Sequence, residues 1–242
     1  MFGRQSSETL VGVKTSELAL GTIRFYDWKP SPFCFKVRAV LDYKKLEYRT
    51  VDPIGGYFTL RRRGRIGKVP ALDIDGEFVV DSTDIAHELE RRFPLPAILP
   101  SAALELARCH VLEDWADEAL YFIGLYYQWI EPDGRKMVPK AFPGLSGKIA
   151  YLLLSRVIRR QLRGHGTLRK PPDHVRGDMQ RNLDAIEDLL RPGPFLLGVR
   201  PYLCDFALLG QLVYLARTPV GGKALEGREA IAGFRARMKA LR

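Results

Sequence analysis

The sequence predicts a two-part protein: a small α+β domain followed by an all-helical domain. Three observations carry this. A β-α-β pattern opens the folded part, with its helix beginning at Ser31-Pro32. Two strand-like runs, Ala71 to Ile74 and Glu77 to Val80, are joined by Asp75-Gly76, the dipeptide that most favours a tight hairpin. A proline-punctuated stretch runs from Phe93 to Pro100, and beyond it apolar residues recur at helical rather than strand spacing.

Each element has a local cause. Ile23 to Tyr26 reads as a short strand. Ser31 stands at an N-cap with Pro32 in the first helical position, and Phe33, Val37, Val40, Leu41 and Lys44 follow on one helical face. Leu46 to Val51 reads as a second strand, so the first two strands are parallel and joined by a right-handed crossover. Gly55 to Gly67, rich in Gly and Arg, is expected to be loop or irregular helix. After the hairpin, Asp81-Ser82 caps a helix that carries Ile85, Ala86 and Leu89 and ends near Arg92. The order βαβ then ββα is the thioredoxin-like arrangement, complete by residue 93. The expected division is therefore a flexible extension over 1–21, a thioredoxin-like domain over 22–93, a linker over 94–101 and a helical domain over 102–242.

In the second part, Ser101 to Trp129 reads as one long helical stretch. Val111, Trp115, Phe122, Tyr126 and Trp129 fall at spacings of four, seven, four and three. This stripe reads as a buried core face at Trp115 and Phe122. Near its end Tyr126, Tyr127 and Trp129 read alternatively as a pocket lining. Pro132-Asp133-Gly134 is expected to break the helix. Further helices are expected from about Pro172 to Leu190, with a turn at Arg191 to Pro194, and from near Leu203.

Composition bounds the function classes. The 242 residues are 46% hydrophobic and 27% charged, the balance of an ordinary globular protein. Cys34, Cys109 and Cys204 are odd in number and far apart, and no Cys/His cluster has metal-ligand spacing, so neither a disulfide scaffold nor a metal site is expected. His87, His110, His165 and His174 are scattered and read as surface or internally satisfied residues. No apolar run of about 18 residues is present, and residues 1–20 lack the apolar core of a signal peptide, which points to a reducing, cytoplasmic setting. The net charge of +10 is local. Eleven bases and one acid lie between Gly134 and Arg176, which leaves 27 residues of each sign elsewhere. This insertion-like basic segment reads as a solvated face, or as a surface for an anionic membrane. No nucleic-acid motif or stacking-aromatic pattern accompanies it, so nucleic acid is not an expected partner.

Four motifs, in order, carry a family resemblance. Trp28-Lys29-Pro30-Ser31-Pro32-Phe33-Cys34 resembles the first strand-to-helix turn of the glutathione transferase superfamily. Lys68-Val69-Pro70-Ala71-Leu72 resembles its proline loop, and Asp81-Ser82 its acid-serine pair before the third helix. Phe195-Leu196-Leu197-Gly198 with Asp205-Phe206-Ala207 is similar to its late helical motif. Within the superfamily, Glu113 to Glu118 and the Tyr/Trp run after them resemble the metaxin and Failed axon connections branch. One departure stands out: Tyr202 occupies the N-cap where the late motif has Ser or Thr, and a tyrosine hydroxyl is too far from its own backbone to cap the helix. Asp205 is still placed to hold the local turn, but on this reading the motif is not intact.

The resemblance implies a glutathione co-substrate, a largely apolar electrophile and a two-fold homodimer. It implies that Ser31 activates the glutathione sulfur as thiolate. Phe33, Lys68, Val69, Pro70 (with a cis bond), Asp81 and Ser82 would bind the tripeptide, Lys68 at its glycyl carboxylate and Asp81 with Ser82 at its γ-glutamyl end. Trp115, Tyr126 and Tyr127, with the 135–150 segment, would shape the apolar pocket. From the residues alone, Ser31 reads either as such a donor or as a plain N-cap worth about 1 kcal/mol. Two other readings stand beside conjugation. One is a non-catalytic, metaxin-like binding or scaffold protein that docks on a membrane or partner through its basic segment. The other is a glutathione-dependent thiol reductase or peroxidase using Cys34. Because Ser31 takes the place of the first cysteine of a Cys-x-x-Cys pair, Cys34 reads more naturally as an inert helix residue.

Overall fold

A computed structural model describes residues 22–53, 55–64, 68–141 and 144–241. The expected extension over 1–21, and Arg65 to Gly67 of the Gly/Arg-rich stretch, lie outside the described residues.

Four strands form a mixed sheet, β1 (Ile23–Tyr26), β2 (Arg49–Val51), β3 (Ala71–Ile74) and β4 (Glu77–Val80), in the order β2-β1-β3-β4. β1 pairs with β2 in parallel, with Phe25 opposite Thr50, and with β3 in antiparallel, with Phe25 opposite Leu72. The alternation of strand side chains decides what covers each face. Ile23, Phe25, Leu72 and Ile74 point into the main core with α1 (Pro32–Tyr43) and α3 (Ser82–Arg92). Tyr26 and Ala71 point the other way, onto Leu60 of α2 (Tyr57–Arg63). The hairpin between β3 and β4 turns at Asp75 and Gly76, both at positive φ (53° and 89°), as a two-residue type I′ turn requires.

β2 is shorter than the alternation predicts, and the reason lies at the end of α1. Lys45 is left-handed (φ 55°). Its N–H bonds to the Asp42 carbonyl at 3.1 Å, and the Leu46 N–H bonds to the Leu41 carbonyl at 3.1 Å. This is a Schellman closure. It commits the backbone of 44–46 to the helix, so pairing with β1 begins only at Arg49.

Between Arg92 and Ala103 the chain is tied down rather than loose. The Lys44 ammonium, its side chain fully buried, donates to Glu90 (2.6 Å) and to the carbonyls of Phe93 (2.6 Å) and Pro96 (3.0 Å). Glu90 in turn accepts from the amides of Ile98 (3.1 Å) and Leu99 (3.2 Å).

The helical part comprises α4 (Ala103–Trp115), α5 (Tyr121–Trp129), α6 (Pro132–Met137), α7 (Gly144–His165), α8 (Pro172–Leu190), α9 (Leu203–Ala216), α10 (Pro219–Ala224) and α11 (Glu229–Ala240). The expected continuous helix from Ser101 to Trp129 is interrupted by a π-helical turn over Ala116–Leu120. One extra residue in a turn rotates the remainder of the helix by about 100°. The aromatic stripe therefore does not lie on one face: Val111 is 69% exposed, whereas Tyr126 and Trp129 are buried. Pro132-Asp133-Gly134 does end α5, but it starts α6 rather than a loop. The Glu131 side chain caps that start, accepting from the amides of Asp133 (3.0 Å) and Gly134 (2.9 Å). Among the described residues no helix is long and apolar enough to cross a membrane.

α9 is buried along nearly its whole length and forms the axis of the helical part. Its start corrects the reading of Tyr202. The tyrosine hydroxyl makes no cap, yet the turn is intact, because the fully buried Asp205 carboxylate accepts from the amides of Tyr202 and Leu196, both at 2.9 Å. Burial pushes that carboxyl up to about 6, against the opposing pull of the two amides. Thus Asp205, from the third helical position, holds the turn without help from a Ser or Thr hydroxyl.

α1 lies directly on α9, with no side chain between them at one point. A Cβ on Gly210 would stand 2.7 Å from the Pro32 carbonyl oxygen, so only glycine allows the first turn of α1 to approach this closely. One turn further along, the fully buried Lys36 ammonium bridges the two parts of the protein. It pairs with Glu113 of α4, with Asp117 of the π turn at 2.7 Å, and donates to Thr83 of α3 at 3.1 Å. Thr83 donates to Glu113 at 2.6 Å, and Gln211 of α9 to Asp117 at 3.1 Å. Burial alone would deprotonate Lys36, but Asp117 and Glu113 outweigh it and hold the ammonium above its ordinary range. We expect Lys36→Met to lose about 3–5 kcal/mol of stability in urea unfolding, because two buried carboxylates lose their counter-charge. Neutralising both in Lys36→Met/Glu113→Gln/Asp117→Asn is expected to return most of that loss.

Candidate functional site

The amino ends of α1 and α3, the loop before β3, the π turn, α5 and α7 together enclose a cleft of about 1020 Å³. One half is polar. Ser31, at the N-cap of α1, is nearly buried, and its Oγ accepts from the Cys34 amide at 3.2 Å. An oxygen that accepts in this way keeps its own proton, which can turn toward the cleft. The first-turn amides of α1 add the positive end of the helix dipole beside it.

Val69 precedes a bend imposed by its cis bond to Pro70. No hydrogen bond joins its backbone N–H or C=O to another described residue, so both are available to an extended ligand lying alongside. Asp81 caps α3, its carboxylate accepting from the Thr83 amide at 2.9 Å. Its backbone sits at φ 80°, ψ 137°, a region an L-residue occupies at a cost of roughly 1–3 kcal/mol. Strain of this kind persists where surrounding contacts impose it, and here it fixes Asp81 and Ser82 at the cleft wall beside Lys68.

The other half is apolar. Phe33 packs on Tyr121 with ring centroids 4.7 Å apart, and this pair marks the border. Beyond it lie Phe122, Leu125 and Trp129 of α5 and Leu154, Val157, Ile158 and His165 of α7. The His165 ring stacks on Phe122 at 3.8 Å, and its Nδ1 shares a hydrogen bond with the Thr167 hydroxyl at 2.7 Å. Gln128 also lines this half, and its buried Oε1 has no partner among the described residues. Burial pushes the Tyr121 hydroxyl up to about 12, so it stays a neutral donor.

The structure thus brings Ser31, Phe33, Lys68, Val69, Pro70, Asp81 and Ser82 to one cleft. It does not bring Trp115, Tyr126 or Tyr127 there. Trp115 turns to α8, its indole donating to Asn182 at 3.1 Å, and both tyrosines are buried in the core. The cause is the π turn, whose added residue carries Tyr121, Phe122 and Leu125 to the cleft, beside Trp129, which does line it as the sequence suggests. Nor do the described residues of the 135–150 segment line it, Phe142 and Pro143 lying outside them: that place is taken by the second half of α7. The acid-rich run 113–118 carries no legible chemical role in the sequence, yet Glu113 and Asp117 form the cleft floor through Lys36. A lysine within an apolar helix face is the one available signal. Among the described residues no group of His, Cys, Asp and Glu is arranged to hold a metal ion.

Cys34 is fully buried below Ser31, its sulfur accepting from the Trp28 amide at 3.4 Å. Burial pushes its thiol up to about 11, which suits a structural residue and not a nucleophile. Cys109 and Cys204 are buried as well. We expect none of these thiols to react with an aromatic disulfide reagent in the native protein near about pH 8, and all of them to react once urea unfolds it.

Two family models match the chain: the one described as glutathione S-transferase, N-terminal domain, over residues 25–97, and the one described as glutathione S-transferase, C-terminal domain, over 150–237. The chain belongs to the glutathione transferase superfamily. It is 26% identical over 204 residues to the isoprene-epoxide–glutathione S-transferase of Rhodococcus sp. (strain AD45), covering 78% of this chain and 82% of that one. It is 24% identical over 203 residues to Failed axon connections of Drosophila melanogaster, covering 77% of this chain but only 47% of that protein. In fold it resembles the beta-etherase LigF from Sphingobium sp. strain SYK-6, with a TM-score of 0.65 at 21% identity over 90% of this chain and 95% of that one.

Proposed function

We propose that the protein is a glutathione transferase that joins the glutathione sulfur to a largely apolar electrophile. The observation that carries this is the convergence of three separate chain segments, at Ser31, at Val69-Pro70 and at Asp81-Ser82, on the polar half of one cleft whose other half is aromatic and aliphatic.

The parts of the tripeptide match the parts of that half. A cysteinyl backbone lies along Val69 as an added strand would, exchanging hydrogen bonds with its N–H and C=O. The γ-glutamyl end meets the amino end of α3, where Ser82 and the helix amides favour a carboxylate and Asp81 favours an ammonium. Lys68 takes the glycyl carboxylate. This arrangement directs the thiol to the amino end of α1. There the Ser31 hydroxyl donates to the sulfur while its oxygen still holds the Cys34 amide, and the helix dipole favours the thiolate. The thiolate is the nucleophile: its carbon–sulfur bond forms as the electrophile's leaving bond breaks. Phe33, Tyr121, Phe122 and Trp129 hold the electrophile, and Gln128 offers it one hydrogen-bond acceptor. The protein works as a two-fold dimer in the cytoplasm, and the exposed Leu104 and Val111 on α4 offer such a pairing an apolar patch.

A binding-only protein with the same cleft is the second reading, supported by the resemblance to Failed axon connections and by the basic segment. Turnover separates the two. With a panel of epoxide and aryl halide electrophiles, we expect Ser31→Ala to lower kcat by about tenfold or more, as loss of one donor raises the thiol pKa by about one unit. Retention of the variant on immobilised glutathione is expected to change little. Full activity in the variant would remove Ser31 from the chemistry, and retention without turnover in the wild type would favour the binding-only reading.

A further inference from the structure

α7 has two unlike faces. Its inner face, with Leu154, Ile158 and Leu162, packs against the helical part and the cleft. Its outer face carries apolar and basic residues in sequence. Leu145, Ile149, Leu152 and Leu153 are 76%, 53%, 54% and 57% exposed. They recur at intervals of four, three and one, the spacing of a single helical stripe. The same face then continues as Arg156, Arg159, Arg160 and Arg163, all exposed. None of these arginines forms an ion pair among the described residues. Lys148 flanks the apolar half.

Four large aliphatic side chains in contact with water are costly, at roughly 25 cal/mol per Å² of apolar surface. A solvated basic face accounts for the arginines and not for the leucines beside them. A protein partner would cover the leucines but would need a matching acidic patch. An anionic bilayer surface meets both requirements at once. Aliphatic side chains enter the acyl boundary, while arginines stay at the level of the phosphates. The charge distribution agrees: the whole +10 excess resides in the segment that contains this helix, and the remainder of the protein is neutral. The helix is not long and apolar enough to span, which leaves contact in the plane of the surface.

We propose that the outer face of α7 docks the protein reversibly onto membranes rich in anionic lipid. This does not depend on the chemistry of the cleft. The bilayer is a weak attractor of either feature alone, so both halves of the face are required for binding.

Flotation of the full-length protein with vesicles tests it. Vesicles of phosphatidylserine and phosphatidylcholine are compared with phosphatidylcholine alone. We expect recovery with the anionic vesicles, little with the neutral ones, and release on raising the salt. Arg156→Gln/Arg160→Gln/Arg163→Gln removes charges that form no ion pair with another described residue. It is expected to weaken partitioning on the order of fivefold per arginine. Ile149→Ser/Leu153→Ser is expected to abolish recovery while circular dichroism and retention on immobilised glutathione stay unchanged. Absence of flotation in the wild type, or flotation that neither variant reduces, would overturn the proposal. So would a wild-type oligomer that Ile149→Ser/Leu153→Ser dissociates, since a second copy would then cover this face.

Discussion

A single ammonium group holds the two parts of this protein in register. Lys36 is fully buried, and among the described residues it is neutralised only by carboxylates that belong to the helical part. An unpaired charge at that depth is far too costly to tolerate, so α1 has one docked position. Gly210 sets the distance of that docking and Lys36 sets its rotation and register. The amino end of α1, one turn away, inherits this placement. The cleft therefore exists in its present form because a buried ion-pair cluster forbids α1 to slide.

The same economy of placement governs the polar wall. Ser31 stabilises its helix as an acceptor while leaving a donor for a ligand, so the stabilising and the chemical role use different parts of one hydroxyl. Asp81 is held in an unfavourable backbone conformation and still caps α3. The outer face of α7 obeys the opposite logic. Its aliphatic residues stand outside the core, and its arginines meet no carboxylate among the described residues, so on the proposed reading the cost of that face is offset by a surface outside the protein.

Much of this is legible in the residues themselves. Ser31-Pro32, Asp75-Gly76 and Asp81-Ser82 are signals that act over a few residues, where backbone sterics and cap hydrogen bonds decide the outcome without tertiary help. In the polar half of the cleft Ser31, Asp81 and Ser82 stand on such signals, whereas Lys68, Val69 and Pro70 are legible only through the family resemblance. Most of the apolar half cannot be read in advance. It depends on the phase of a long helix, and a π turn changes that phase with no marked residue to announce it, so Tyr121, Phe122 and Leu125 stand where Trp115, Tyr126 and Tyr127 are expected, and of the expected aromatic residues Trp129 alone is there. Tyr202 misleads for a related reason. The missing hydroxyl is visible, but the geometry by which Asp205 serves both Tyr202 and Leu196 is tertiary. Lys36 escapes notice because a lysine in a helix ordinarily faces water, and only the folded position of Glu113 and Asp117 explains why it does not.

Glutathione binding in the cleft, with its ionised sulfur favoured at the start of α1, is the central claim. The ultraviolet absorbance of the thiolate measures this directly, when glutathione is titrated with base in the presence of saturating protein. We expect the bound thiol to ionise at a lower pH than free glutathione, and this difference to disappear in Ser31→Ala. A bound thiol that titrates like the free one, or no bound fraction at millimolar glutathione, would contradict it.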